Sequence, residues 1–554
     1  MTLSATQIQA IVDATKTPTP EQVRVVEAPR RPLLVVAGAG SGKTETMSMR
    51  VLWLLANHPD LTPASILGLT FTRKAAGELG DRLRERIRLL SRELPQLSER
   101  LDEDPVTLTY NSFAERIVSE HGMRIGIDPD FSMLSEAGAL DLMTQIVEAW
   151  PTDLDDDLSP AGVVGRILHL AGEIAEHGYT VESARQALEG FGRELEIVGD
   201  SNNAARELHQ ANQRRIAFLG PIEAYQKRKR EMGLLDFSDQ LALATRIVRE
   251  VPSVRAALRE EFRAVLLDEF QDTSVIQMEL LSTLFGDHAV TAVGDPNQAI
   301  YGWRGASASS LETFLERFQT GAPEEGQTLT LSTAWRNDVS ILDAANRVAE
   351  PLREVASYQA GKEQLNAQSP VLVPRPGAGR GVVEIAYPAA YEDALAATVD
   401  FVRRVRAQPV TDGKRRTVAV LSRRRKDFPL IDAALREAGI PTEIVGLGGL
   451  LDQPAVQDVR AALELAYDVS ASPWLARLLA GIDLGAADLM ALGDWARALA
   501  RREGASSHQA VLLDAVDDPP APGWADKGRP AISEEAVRRV RLLGERLRQV
   551  REGV

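Results

Sequence analysis

One short segment constrains the fold of this chain more than any other. Positions 37–44 read Ala37-Gly38-Ala39-Gly40-Ser41-Gly42-Lys43-Thr44. The apolar run Leu33-Leu34-Val35-Val36 leads into it, and Met47, Val51, Leu54 and Leu55 follow at helical spacing. An apolar run entering a glycine-rich turn predicts a buried parallel strand. The spacing after it predicts a helix from Thr44 to about His58. Between the two, the glycines let backbone N–H groups turn inward around phosphate oxygens, and the helix start adds its positive dipole. Lys43 is then placed to reach the β- and γ-phosphates of a nucleoside triphosphate, and the Thr44 hydroxyl to ligate Mg²⁺. Ala37 stands where the simplest form of the pattern has glycine.

Strand–helix alternation continues downstream. Ile66-Leu67-Gly68-Leu69-Thr70 and Val106-Thr107-Leu108-Thr109 read as strands, with a helix from Lys74 to about Glu93 between them. Ala264-Val265-Leu266-Leu267 and Ala289-Val290-Thr291-Ala292-Val293 restore the pattern after a long helical stretch. This predicts the α/β class, with a doubly wound parallel sheet of the P-loop type. Residues 1–114 and 222–318 are expected to form one such domain, interrupted by a helical insert over 115–221. Residues 319–327 read as a linker. A second α/β unit is expected over 319–467, with strands near 328–331, 382–386 and 417–421. Residues 468–554 are rich in Ala, Leu and Arg and read as a further helical insertion.

Composition sets outer limits. A length of 554 residues is three or four domains' worth, at ~100–200 residues each. The absence of cysteine excludes disulfides, thiolate zinc sites and cysteine-ligated iron–sulfur clusters within this chain. No apolar run reaches the ~18 residues of a membrane span. The first residues lack the charged start and apolar stretch of a secretory signal, so a cytoplasmic location and no membrane partner are expected. The formal charge of −16 argues against nucleic-acid binding through overall charge. Phosphate contacts need only a local basic groove, however. Lys227-Arg228-Lys229-Arg230, Lys414-Arg415-Arg416 and Arg423-Arg424-Arg425-Lys426 are basic clusters that, taken alone, read as solvated faces.

Residues 265–273, V-L-L-D-E-F-Q-D-T, carry the complementary chemistry. A buried strand ends in two adjacent carboxylates. Asp268 at its tip is expected to hold Mg²⁺ through water. Glu269, on the opposite side of the pleat, is expected to polarise the attacking water. Gln298 follows a strand-end turn, where its amide can orient that water and sense the γ-phosphate. Tyr301 and Trp303, set among glycines beside Arg304, form an aromatic platform next to a cation. Such platforms hold single-stranded bases by stacking without reading sequence.

These segments, in this order, resemble superfamily-1 helicases of the UvrD/Rep type. Thr19-Pro20-Glu21-Gln22 is similar to the family's adenine-reading segment, which implies that Gln22 binds the adenine edge. Thr70-Phe71-Thr72-Arg73-Lys74-Ala75-Ala76 resembles its first DNA-contacting motif, implicating Phe71 and Thr72. Arg82 falls where the family has a nucleotide-contacting arginine. Thr109-Tyr110-Asn111-Ser112-Phe113 resembles the next DNA motif, with Asn111 where histidine is usual, and implicates Tyr110 and Asn111. Gly233-Leu234-Leu235-Asp236-Phe237-Ser238-Asp239 resembles its D-F-x-D segment. Residues 294–306, G-D-P-N-Q-A-I-Y-G-W-R-G-A, are very close to its γ-phosphate-sensing and DNA-stacking motif. Ala334-Trp335-Arg336-Asn337 stands for N-Y-R-S and implies an arginine finger at Arg336. The resemblance implies ATP and Mg²⁺ as cofactors, single-stranded and duplex DNA as partners, and 3′ to 5′ unwinding.

A narrower resemblance is to the AdnB subunits of actinobacterial AdnAB helicase–nucleases. It rests on T-A-W-R-N, on Glu45 just after the phosphate loop, and on G-L-G-G-L-L at 446–451. It implies a role in double-strand break repair and recombination, and a second helicase–nuclease subunit as partner. The family's later motifs, of the T-x-H-x-A-K-G and T-R-A kinds, do not occur before Val554. A C-terminally truncated chain without its nuclease region is therefore expected. A DNA-end-binding scaffold that uses ATP only as a conformational switch is the alternative.

Overall fold

The computed structural model describes residues 2–127, 131–152, 154, 158–198, 203–302, 310–319, 327–359, 368–409, 416–445, 454–467, 472–502 and 511–553. The chain divides into two compact units, residues 1–384 and 385–554. In the first, helices α1 (Ala5–Val12) and α2 (Pro20–Val26) precede strand β1 (Leu33–Ala37). Both helices start with a capping box. Ser4 and Thr19 accept from the backbone N–H three residues on, and the Gln7 and Gln22 side chains accept from the capping N–H in return. Then follow α3 (Lys43–Asn57), β2 (Ile66–Thr70), α4 (Arg73–Glu93), β3 (Val106–Thr109) and α5 (Tyr110–His121).

The sheet is completed much later in the chain. Strands β4 (Ser132–Met133) and β5 (Leu234–Leu235) bracket a bundle of α6 (Glu136–Glu148), α7 (Pro160–Glu176), α8 (Val181–Val198) and α9 (Asn203–Glu231). They pair with each other, Ser132 opposite Leu234, so the chain leaves and returns at one point. The bundle has its own core around Met143, Val164, Ile167, Leu219 and Ile222. After it come α10 (Phe237–Glu250), α11 (Pro252–Glu261), β6 (Ala264–Leu267), α12 (Val275–Phe285), β7 (Val290–Gly294), α13 (Phe314–Phe318) and β8 (Gln327–Leu331).

The sheet order is β3-β2-β6-β7-β1-β8, and every neighbouring pair is parallel. Alternation along β1 shows why both faces must be covered. Leu34 and Val36 enter one core with Phe113, Phe262 and Phe270, whereas Leu33, Val35 and Ala37 enter the other with Met47, Val51 and Leu55. Parallel pairing aims every strand's C-terminal end at one edge of the sheet. The phosphate loop after β1, Asp268 after β6 and Asp295 after β7 therefore share that edge.

Two expectations about boundaries differ from the structure. Residues 328–331 were assigned to a second α/β unit, but β8 is the edge strand of the first sheet, with Leu33 opposite Gln327 and Ala37 opposite Leu331. The helical insert was expected from residue 115, yet α5 packs Phe113, Ala114, Ile117 and Val118 into the sheet core. The bundle therefore begins beyond α5. Residues 382–386 and 417–421, expected as strands, form none.

A buried arginine fastens α2 to the sheet. Arg50 on α3 is 1% exposed and has no carboxylate partner among the described residues. Its guanidinium donates to the carbonyls of Val25, Val26, Ala28 and Pro29, at the C-terminal end of α2 and just beyond, and to the Thr291 hydroxyl on β7. Those carbonyls carry the negative end of the helix dipole. Burial lowers the Arg50 pKa to about 10, so the group stays charged.

The first unit closes with β9 (Thr333–Ala334), α14 (Val339–Gln359) and β10 (Val373–Pro374), with β10 pairing parallel to β9. The second unit is helical: α15 (Tyr391–Ala407), α16 (Phe428–Glu437), α17 (Pro454–Tyr467), α18 (Ser472–Gly481), α19 (Ala486–Arg502), α20 (Leu512–Asp517) and α21 (Glu534–Gly553). Leu475, Leu479, Leu492, Trp495, Val516 and Val540 lie in its main core. Asp517 binds Arg551 at 2.6 Å where α20 meets α21. No described helix is long and apolar enough to cross a membrane.

Two stability outcomes follow. Arg50→Met strands a cluster of buried carbonyls and should cost about 3 kcal/mol or more in chemical denaturation. Gly544→Ala would place a β-carbon 2.6 Å from the Val516 carbonyl oxygen. Overpacking against backbone should cost about 1–3 kcal/mol, read as a lowered Tm of the second unit.

Candidate nucleotide and nucleic-acid site

The turn after β1 is built to face a polyanion. Gly40 and Gly42 have φ of 74° and 83°, values that side chains rarely tolerate, and this turns successive N–H groups to one side. Lys43 opens α3, and Thr44 follows in its first turn. The Ser41 hydroxyl is buried and has no hydrogen-bond partner among the described residues, as expected of a group that awaits a ligand. Ala37 is the last strand residue and lies fully inside the core. Gly38, held by a bond from its N–H to the Leu331 carbonyl, and Ala39 complete the loop.

The acidic segment meets this loop. Lys43 Nζ lies 2.7 Å from Glu269 Oε2. Asp268 is tied to β2 by its N–H to the Leu69 carbonyl and is nearly buried. Burial, reinforced by the neighbouring Glu269 charge, raises its pKa to about 6, while Lys43 and Arg82 pull it back. Arg82 on α4 is thus close enough for its charge to act on Asp268. Glu269 does not occupy the far side of the pleat. β6 ends at Leu267, and Glu269 turns into the left-handed region with φ 48°, which carries its carboxylate back towards Lys43. For a non-glycine residue that conformation costs roughly 1–2 kcal/mol.

Gln298 is held one step away. Its Nε2 donates to Asp295 Oδ2 at 2.6 Å, so it approaches the carboxylates through Asp295 and not directly. Gln22 and Trp335 face the loop from another side. A β-carbon at Gly42 would lie 3.1 Å from Gln22 Nε2 and 3.8 Å from Trp335 Cδ1. The Trp335 N–H donates to the Gly40 carbonyl, and a β-carbon at Gly40 would lie 3.0 Å from Arg336 Cβ. Arg336 therefore stands beside the phosphate loop. Trp335, half exposed there, carries a flat apolar surface that the sequence reading left unassigned. Its position one residue before the finger arginine was the available signal.

The donors fit Mg²⁺. A hydroxyl on Thr44 and a carboxylate on Asp268 are hard oxygen ligands, and a divalent cation relieves the crowding of Asp268 and Glu269. No cluster of three or more His, Cys, Asp or Glu that could hold a metal without a substrate occurs among the described residues.

The aromatic side of the site lies along β2, α5 and the turn after β7. Phe71 and Tyr301 meet with ring centroids 4.4 Å apart, tilted by 33°. Thr72 caps α4 and is exposed. Asn111 lines a cavity with Phe71, Thr109, Glu176, Asp272 and Gln277, and its Oδ1 accepts from Gln277 Nε2. Tyr110 lines the same cavity, and with its ring packed in the sheet core and its hydroxyl donating to the Asp268 carbonyl it also braces the acidic turn from inside. Burial pushes that phenol well above its usual range. Trp303 and Arg304 lie outside the described residues.

The family model described as the UvrD/REP helicase N-terminal domain matches residues 18–319. The chain is 31% identical to DNA helicase II of Escherichia coli over 334 residues, which is 60% of this chain and 40% of that protein. It is 25% identical to the ATP-dependent DNA helicase PcrA of Leuconostoc citreum over 448 residues, 80% of this chain and 52% of that one. The matched regions span about half or less of the length of these relatives. A family model that covers more than half of the chain establishes that this chain belongs to the UvrD/REP helicase family.

Proposed function

We propose that this chain is the motor portion of an ATP-dependent DNA helicase that moves 3′ to 5′ along single-stranded DNA and opens duplex ahead of it. The observation that carries this reading is the 2.7 Å pairing of Lys43 with Glu269 at the sheet edge that also bears Asp295 and the Phe71–Tyr301 contact. Lys43, Thr44, Ser41 and the loop N–H groups hold the triphosphate. Asp268 and Thr44 would hold Mg²⁺, which would supply positive charge to offset that of the triphosphate. Glu269 accepts the proton of the attacking water, Gln298 orients that water, and Arg336 stabilises charge on the γ-phosphate. Arg82 balances Asp268. Gln22 reads the adenine edge while Trp335 stacks on its face.

On the nucleic-acid side, Phe71, Thr72, Tyr110, Asn111, Tyr301, Trp303 and Arg304 contact the strand. Stacking there is worth about 1–3 kcal/mol per base and is indifferent to sequence, as translocation demands. The same reading assigns the residues beyond β8, up to 467, to the start of a second motor domain and 468–554 to its helical insertion. It places the protein in the cytoplasm, in double-strand break repair, beside a second helicase–nuclease subunit. That context rests on the T-A-W-R-N and G-L-G-G-L-L segments.

Lys43→Ala and Asp268→Ala should lower DNA-stimulated ATP hydrolysis at least about 100-fold while nucleotide-free DNA binding persists. Unchanged hydrolysis in either variant overturns the motor reading. In nucleotide-binding titrations, Trp335→Ala should weaken ATP and GTP alike by about 10-fold. Gln22→Ala should weaken ATP selectively. Equal ATP affinity across the three proteins would remove both residues from the site.

A further inference from the structure

A buried amide joins the two halves of the site. Gln271, two residues past Glu269, is 3% exposed. Its Nε2 donates to Glu269 Oε2 at 2.9 Å, the oxygen that also receives Lys43. The same Nε2 lies 3.2 Å from Asp272 Oδ2. Its Oε1 accepts the Asp295 N–H at 3.0 Å. A β-carbon at Gly294 would lie 2.7 Å from Gln271 Oε1 and 3.1 Å from its backbone nitrogen, so only glycine permits this approach.

Each neighbour leads to a different functional group. Asp295 accepts from Gln298 through Oδ2, and from the Asn297 N–H and the Ser369 hydroxyl through Oδ1. Asp272 accepts the Ile300 N–H through Oδ1, one residue before Tyr301, and lines the cavity beside Phe71. One side chain therefore touches the water-activating carboxylate, the turn that carries the phosphate sensor, and the turn that carries the aromatic contact.

We propose that Gln271 is the positioning residue that couples nucleotide occupancy to the DNA-facing segment 295–301. A triphosphate draws Lys43 away from Glu269 Oε2. Among the described residues, Gln271 Nε2 is then the donor left to that oxygen, and it follows the carboxylate. Because the amide is rigid, its Oε1 carries the Asp295 N–H with it, and Asp272 transmits the same shift to Ile300. An amide suits this task because it offers donor and acceptor together and does not titrate.

The inference rests on the motor reading, and its test separates the two. Single-stranded oligonucleotide affinity is measured on the full chain by anisotropy, with and without a non-hydrolysable ATP analogue and Mg²⁺. The ratio of the two affinities is the coupling, commonly about 5–150-fold between linked sites. Wild type should show a ratio well away from one. Gln271→Met, of similar length without polar atoms, should bring the ratio to about one, while oligonucleotide affinity without nucleotide and nucleotide affinity without DNA each stay within about threefold of wild type. Gln271→Asn, one methylene too short to bridge, should do the same and serves if the methionine variant does not fold. A structural role alone would lower Tm and leave the ratio in place. A variant that retains the wild-type ratio overturns the proposal alone. A wild type that binds neither nucleotide nor DNA overturns the motor reading and the proposal with it.

Discussion

Lys43 and Glu269 are 226 positions apart in the chain and 2.7 Å apart in space. Everything that the site does depends on that meeting. It requires that β1 and β6 both flank β7 in one parallel sheet, so that their C-terminal ends emerge side by side. It also requires that Glu269 abandon the extended conformation of its strand. The strain is local, and the ion pair, the Gln271 amide and the Tyr110 brace beneath Asp268 hold it in place. Such a pair gains little net stability once desolvation is counted. Its value is that it keeps a lysine and a carboxylate poised around the space where a phosphate bears the opposite charge to the lysine.

Local chemistry made much of this legible from sequence. The glycine-rich turn needs positive φ at Gly40 and Gly42, and an apolar run ending in Asp268 needs a buried strand, so short windows sufficed. Partner choice was not legible. Gln327–Leu331 reads as a strand in any sheet, and only three-dimensional packing assigns it to the edge beside β1. Helix α5 shares the apolar spacing of the insert, and only Phe113 and Ile117 meeting the sheet core decide its side of the boundary. Tyr110 was singled out only through the resemblance of Thr109–Phe113 to a DNA-contacting motif, and its bond to the Asp268 carbonyl, 158 positions away, was not legible there. Arg50 and Gln271 carried no sequence signal, since their roles consist of bonds to residues far along the chain.

The site is also acidic in a chain that is already acidic. Asp268, Glu269, Asp272 and Asp295 crowd two turns, with Lys43 and Arg82 as the cations acting on Asp268. Burial raises the Asp272 pKa as it does that of Asp268. A bare polyphosphate would meet repulsion here, whereas a polyphosphate carrying a divalent cation would bring the missing positive charge with it. The same excess explains why amides recur between the carboxylates. Gln271, Gln298 and Gln277 supply N–H donors without adding charge.

A polar network inside a sheet edge has an alternative, an apolar filling of equal volume, which is often as stable or more so. What the apolar filling lacks is a reason for one turn to notice another. Dispersion contacts are non-directional, so a small displacement of Glu269 would be absorbed by neighbouring side chains. A hydrogen bond from a rigid amide is directional, and a buried donor that loses its acceptor costs about 1–3 kcal/mol. With Gln271 bonded to Glu269, Asp272 and Asp295 at once, the three cannot move independently without stranding a buried polar atom. The network therefore favours concerted arrangements over mixed ones, which is the property a chain needs if phosphate chemistry at one end of a sheet edge is to alter aromatic contacts at the other.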